Sequence, residues 1–190
     1  MTVHGERDIP AAGEVNPAAY DHETLKRWTD EADTGAAQAV ADTWTSTGAA
    51  LVEAAETLRR AASDSEAGWA GPAAAAMRAR LAEIADWSAN TGGQITAASA
   101  SIARQGEAAE VARRAMPDPV PYDPAQLIRD AGEDGPLALA GLPQRLYNQK
   151  QLHDAAHEDA VRVVAQRDRA MGGAAGEVVV FDRPPLLDGG

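Results

Sequence analysis

The side chains best spaced for chemistry are His153 and His157, four residues apart with Asp154, Glu158 and Asp159 beside them. On a helix this spacing puts both imidazoles on one face, where a zinc ion can bridge them. The His-Glu-x-x-His pattern of metalloproteases, however, needs a glutamate as general base; Asp154 holds that position and no third ligand is evident. A solvated, charged helix face is the better account of these residues. The chain has no cysteine, which excludes a disulfide frame and a thiolate zinc site. The serines lie in alanine-rich helix or turns without a histidine nearby, and no glycine-rich phosphate loop is present, so nucleophilic catalysis lacks its parts. The expectation is a non-enzymatic protein with no catalytic residue, no metal and no cofactor.

Recognition is the chemistry that remains, and Trp69 is its first candidate. It stands in Ser63-Asp64-Ser65-Glu66-Ala67-Gly68-Trp69-Ala70-Gly71-Pro72, a break with capping residues, two glycines and a proline placed to open a helix. An indole at such a turn either plugs the end of a bundle or meets a partner, to which its N–H can donate. Before the break, Ala36 to Ala62 reads as a long helix, with Trp44, Leu51 and Leu58 seven apart on a heptad seam beside Val40, Thr47, Ala54 and Ala61. After it, Pro72 to Met116 reads as a second helix. Its seam runs through Met77, Leu81, Ile84, Ser88, Thr91, Ile95, Ala98, Ile102, Gln105, Ala109, Ala112 and Met116. At about 1.5 Å per residue that helix is roughly 68 Å long, against about 40 Å for the first. Part of its seam, with Ile84, Ile95, Ile102 and Met116, is therefore left for the last helix or for another chain. Gly92-Gly93 in its middle costs about 1 kcal/mol per glycine relative to alanine and is a place for a bend.

The remaining elements are shorter. Residues 1–19 read as a flexible arm, and His22 to Asp33 as a short polar helix with Leu25 and Trp28 on one face and Gly35 at its end. Met116 to Pro124 stops the second long helix, because four prolines in eight residues remove donors and fix φ. A helix over Pro124 to Ala131 follows, then a turn-rich stretch, Gly132 to Gly141, with Leu137, Leu139 and Leu142 at its end. The last helix runs from Pro143 to Met171. Beyond Gly172-Gly173 the tail, with Val178 to Phe181, is read as one short strand or as unstructured. The fold class expected is all-α, an elongated bundle built on a long antiparallel helical hairpin with a returning C-terminal helix.

Composition agrees. Alanine dominates the 45% apolar fraction and aromatics make up 4%, which suits helices packed closely side by side better than a bulky core. Seventeen Lys and Arg stand against 29 Asp and Glu, and a net charge of −12 repels a phosphate backbone, so neither nucleic acid nor an anionic membrane surface is an expected partner. No stretch approaches the roughly 18 apolar residues of a membrane span, and Met1 to Pro10 lacks a basic start followed by an apolar run. Export, where it occurs, is expected without a cleavable signal peptide.

The Trp-x-Gly of Trp69-Ala70-Gly71, with Trp44 before it on the seam, Gly71-Pro72-Ala73-Ala74-Ala75-Ala76-Met77 after it and Met116-Pro117-Asp118-Pro119-Val120-Pro121 closing the second helix, resembles the WxG superfamily of type VII secretion substrates. It is similar more closely to the longer, PPE-like branch of that superfamily in non-mycobacterial actinobacteria. The resemblance covers residues 20–171, leaving 172–190 as a tail. It implies a helical bundle that is made in the cytoplasm, pairs with a smaller helical-hairpin protein of PE-like or WxG type, and is secreted or displayed on the cell surface as a folded heterodimer. It also implies that Trp69 and Gly71 belong to a composite export motif completed by a Tyr-x-x-x-Asp/Glu element of the partner. A secretion ATPase is a further implied partner, as is a cytosolic chaperone at the bundle tip, here Leu137, Leu139 and Leu142; without a chaperone these leucines tuck against the last helix. Two departures stand out. Asn16-Pro17-Ala18-Ala19 replaces the Pro-Pro-Glu that names the branch, and Tyr20, Tyr122 and Tyr147 have Thr24, Gln126 and Gln151 where an acid is expected, so the signal tyrosine must come from the partner. The alternative to a secretion pair is a cytosolic self-associating helical scaffold.

Overall fold

A computed structural model describes residues 15–176 and 181–185. Five α-helices and no strand occur among the described residues: α1 His22–Asp30, α2 Thr34–Asp64, α3 Pro72–Ala115, α4 Pro124–Glu133 and α5 Pro136–Gly176. The all-α class is thus as the sequence predicts. Three of these helices begin on an aspartate whose carboxylate accepts from the amide three residues on: Asp21 from Thr24 at 2.7 Å, Asp33 from Ala36 at 2.8 Å and Asp123 from Gln126 at 2.9 Å. Because Asp33 caps α2, Gly35 sits inside its first turn and does not terminate α1, which ends at Asp30. Glu133 extends α4 beyond the expected Ala131, up to Gly135 at φ +94°.

The turn-rich loop expected from Gly132 to Gly141 is not found. Pro136 opens α5, where a missing N–H costs nothing, and the run from Leu137 to Leu142 is helical. Pro143, expected to start the last helix, lies inside it. The good helix formers before it hold the turn, and one sacrificed backbone hydrogen bond is the local cost. The helix also runs through Gly172-Gly173 to Gly176, past the expected end at Met171.

The chain forms two compact units. The described part of one is 33–107 with 173–176 and 181–185, built on α2 and most of α3. The two helices run antiparallel, since contacts that advance along α2 retreat along α3: Ala37 with Gly106, Thr45 with Ser99, Gly48 with Gly92 and Arg59 with Asp86. The row of α2 that is fully buried is Ala41, Gly48 and Ala55, seven apart, not the expected Trp44, Leu51 and Leu58. These larger residues sit on the flank, with Trp44 37% exposed and both leucines half-buried. The reason is the separation of the backbones. A Cβ on Gly48 would stand 2.7 Å from the carbonyl oxygen of Gly92 and 2.5 Å from Thr96 Oγ1; one on Gly92 would stand 2.6 Å from the carbonyl oxygen of Gly48. Ser99 Oγ donates across the same contact to the carbonyl of Ala41 at 2.7 Å and pairs with Thr45 Oγ1 at 2.7 Å.

The other unit, 15–32 with 108–172, has a core of Leu25, Trp28, Met116, Ala160 and Val164, with the Tyr20 ring tilted against Trp28 at 4.7 Å between ring centroids. Met116 is 8% exposed there, so it is a core residue and not the partner-facing position the seam suggested. The proline segment after α3 keeps its carbonyls but has few donors, and side chains serve it. His22 Nε2 bonds Pro117 O at 3.0 Å, His153 Nδ1 bonds Val120 O, and Gln149 Nε2 donates to Pro121 O at 2.8 Å. A carbonyl only accepts, so the proton must lie on Nε2 of His22 and Nδ1 of His153.

Two outcomes test this account. Gly92→Ala should destabilise the chain by about 2 kcal/mol in denaturant unfolding, in spite of alanine's helix propensity, because it forces two backbones apart. Gly93→Ala, with nothing within 4 Å of its Cβ position, should stabilise it by about 0.5–1 kcal/mol. Hydrogen bonds from Thr24, side chain first and amide second, hold the Asp21 carboxyl below its ordinary value. A carboxyl depressed in the folded state adds stability above its unfolded pKa and loses it as pH falls through the folded one. Asp21→Ala should therefore cost about 1 kcal/mol at pH 7 and almost nothing at about pH 2, by urea titration at both.

Candidate partner-binding site

The turn from α2 to α3 is built backbone first. α2 ends at Asp64, Ser65–Ala67 makes one 3-10 turn, and the amides of Gly68 and Trp69 both donate to Ser65 O, at 3.3 and 3.1 Å. Ser65 Oγ donates to Ala62 O at 2.7 Å. From the far side, Arg78 Nη1 donates to the carbonyl of Trp69 at 3.0 Å. Gly71 then takes φ +110°, a conformation that an L side chain rarely adopts, and its carbonyl accepts from Ala75 N to start α3 with Pro72 in the first turn. The third position of the Trp-x-Gly is thus a glycine for backbone reasons. The first has its amide and carbonyl fixed while its indole stays 45% exposed. What such a group can do is offer one N–H donor and a broad apolar face from a rigid mount.

Ile84, Ile95 and Ile102 are half-buried along α3. They leave the Gly48–Gly92 contact in the same rotational sense as Trp44, Leu51 and Leu58 do on α2. In an antiparallel pair, two rows displaced in the same sense border the same side. Six apolar side chains therefore border one side of the hairpin. The sequence singled out all six residues but set the α2 row at the centre of the contact; the heptad row of smallest residues, Ala41, Gly48 and Ala55, was the signal that would have moved it to the flank.

In the other unit, Leu137 and Leu139 lie exposed on the first turns of α5, Leu137 at 88%, and Leu142 is half-buried. They stand on a helix and not on a loop. His153 is engaged with Val120 and its ring lies 6.0 Å from that of Tyr122, while the His157 ring is 6.4 Å from that of His22. Both histidines pack against neighbouring elements. No group of three metal-ligating side chains occurs among the described residues. No helix among the described residues is long and apolar enough to cross a membrane.

No curated protein matches the chain. The model of the PPE family matches residues 29–123, which run from the end of α1 through α2, the Trp69 turn and the whole of α3 to the proline segment. That match takes in half of the sequence and every element that builds the turn and the groove, and the chain belongs to the PPE family.

Proposed function

We propose that this protein is a non-enzymatic member of a secretion pair: it offers the groove between α2 and α3 and the indole of Trp69 to a smaller helical-hairpin protein, and the two are exported together. Membership of the PPE family makes it a type VII secretion-associated protein. The observation that carries the finer reading is the exposure of Trp69 on a turn where its own amide and carbonyl are both hydrogen-bonded. A tryptophan whose task is to fill a core is covered, as Trp28 is at 3%. A large aromatic held rigidly outside loses little conformational entropy on binding and is the usual anchor of an interface.

The groove supplies the area. A partner helix laid along Trp44, Leu51 and Leu58 on one wall and Ile84, Ile95 and Ile102 on the other covers apolar surface at about 25 cal/mol per Å². Such a helix reads its anchors at heptad spacing, the spacing of Trp44, Leu51 and Leu58 on the α2 wall. The partner is of PE or WxG type, and it brings the acid-bearing tyrosine element that Tyr20, Tyr122 and Tyr147 lack. Leu137 and Leu139 are available to a secretion chaperone before export, and the pair is delivered to the outside or to the cell surface.

The test is co-expression with the small helical-hairpin proteins encoded beside this one, with size-exclusion chromatography and light scattering. A one-to-one complex is expected. Trp69→Ala should leave helicity and the unfolding free energy within about 0.5 kcal/mol of the parent, as for an exposed side chain, while export of the pair falls at least about tenfold. A homodimer indifferent to those proteins would move the reading to a self-associating scaffold, and export that only tracks stability would return Trp69 to a packing role.

A further inference from the structure

Trp87, Asn90 and Gln94 follow one another on α3 at spacings of three and four, and one distant residue engages all three. Trp87 Nε1 donates to the carbonyl of Asp182 at 3.1 Å. Gln94 Nε2 donates to the Asp182 carboxylate at 3.1 Å, and Gln94 Oε1 accepts from the Asp182 amide at 3.4 Å. Asn90 Nδ2 stands 3.5 Å from the same carboxylate oxygen. The amide, the carbonyl and the side chain of one residue are thus all met by side chains of α3. Packing alone does not need such a match, since it would bury apolar atoms; this is how a helix face reads a peptide by its backbone and one side chain.

The path of the chain agrees. Seven residues beyond Gln94, Ser101 Oγ donates to Ala174 O near the end of α5, so Ala174 and Asp182 meet the same side of α3. Ala85, Gly92 and Ser99 lie on a different side of α3, the one that meets α2. Phe181, Asp182, Arg183 and Pro184 remain exposed, and the two prolines bring no backbone donor. Hydrogen bonds this open to water each contribute little net stability, which makes the segment easy to lift off.

We propose that the Trp87, Asn90 and Gln94 stripe is a binding site for an extended peptide bearing an aspartate, and that Phe181–Pro185 fills it in cis as a releasable latch. A partner that presents such a segment takes the stripe by expelling the latch. The site is distinct from Trp69 and from the isoleucine groove, so it stands or falls apart from the secretion-pair reading.

The experiment uses the full chain labelled with 15N, with the Trp87 indole resonance assigned by its loss in Trp87→Phe. Asp182→Ala should shift that resonance and speed its hydrogen exchange about tenfold, a change of one decade per 1.4 kcal/mol. A synthetic peptide of the sequence 179–187, added to the Asp182→Ala chain, should restore the parent shift. The same peptide with alanine at the aspartate should need at least about tenfold more, and the parent chain should bind the first peptide about tenfold more weakly than the variant does, because its own latch competes. Gln94→Leu placed in the Asp182→Ala chain should abolish the titration with helicity unchanged. An indole resonance indifferent to Asp182→Ala, or two peptides that titrate alike, would overturn the proposal.

Discussion

The contact between Gly48 and Gly92 sets the terms for the unit built on α2 and α3. With no Cβ on either side, the carbonyl oxygens of the two helices come to where a side chain would otherwise stand. Everything else on the contact row is small as well: Ala41 and Ala55 on α2, Ala85 and Ser99 on α3. A core of this kind removes little apolar area per residue, but its atoms are dense, and close packing over many turns accumulates dispersion attraction. Polar pairing across the contact becomes possible too, since only helices this close let Ser99 Oγ reach the carbonyl of Ala41. The alanine-rich, aromatic-poor composition is the sequence-level shadow of that geometry.

A second consequence concerns the larger side chains. Trp44, Leu51 and Leu58 cannot enter a contact that excludes even a methyl group, so they border it, and the isoleucines of α3 do the same from their side. A hairpin closed by bulky residues would have spent its apolar surface on itself. One closed by glycine and alanine keeps its large side chains at the edge of the contact, partly exposed. The close approach thus both packs the pair and keeps its larger apolar side chains partly in water.

How much of this was legible in the sequence varied with the range of the interaction. Local signals were read well: Pro72 and the prolines after Met116 bound α3 to within one residue, and Asp21 and Asp123 stand where helices begin. Pro143 misled, because a proline at the edge of an apolar run looks like a helix start, and only the turn chemistry of Gly135 and Pro136 shows that the start is earlier. Met116 continued the seam of α3 without a slip, yet it is buried against Leu25 and Val164, residues distant in sequence that periodicity cannot pair with it. The expected strand at Val178 to Phe181 lies mostly outside the described residues. The contact of Asp182 with Gln94 was out of reach for the same reason as that of Met116: it depends on the route the chain takes after α5.

The proline segment places a demand on the elements around it. A backbone that has lost donors but kept acceptors cannot satisfy itself, so it must recruit N–H groups from elsewhere, and here they come from His22 on α1 and from Gln149 and His153 on α5. Those donors have a job that a charged, solvated helix face does not, and it accounts for His153, one of the two histidines whose spacing first suggested a metal. The match to the PPE family closes within this segment, at residue 123, and α4 begins at the next residue. The side chains of α5 that receive that segment, Gln149 and His153, lie past the match.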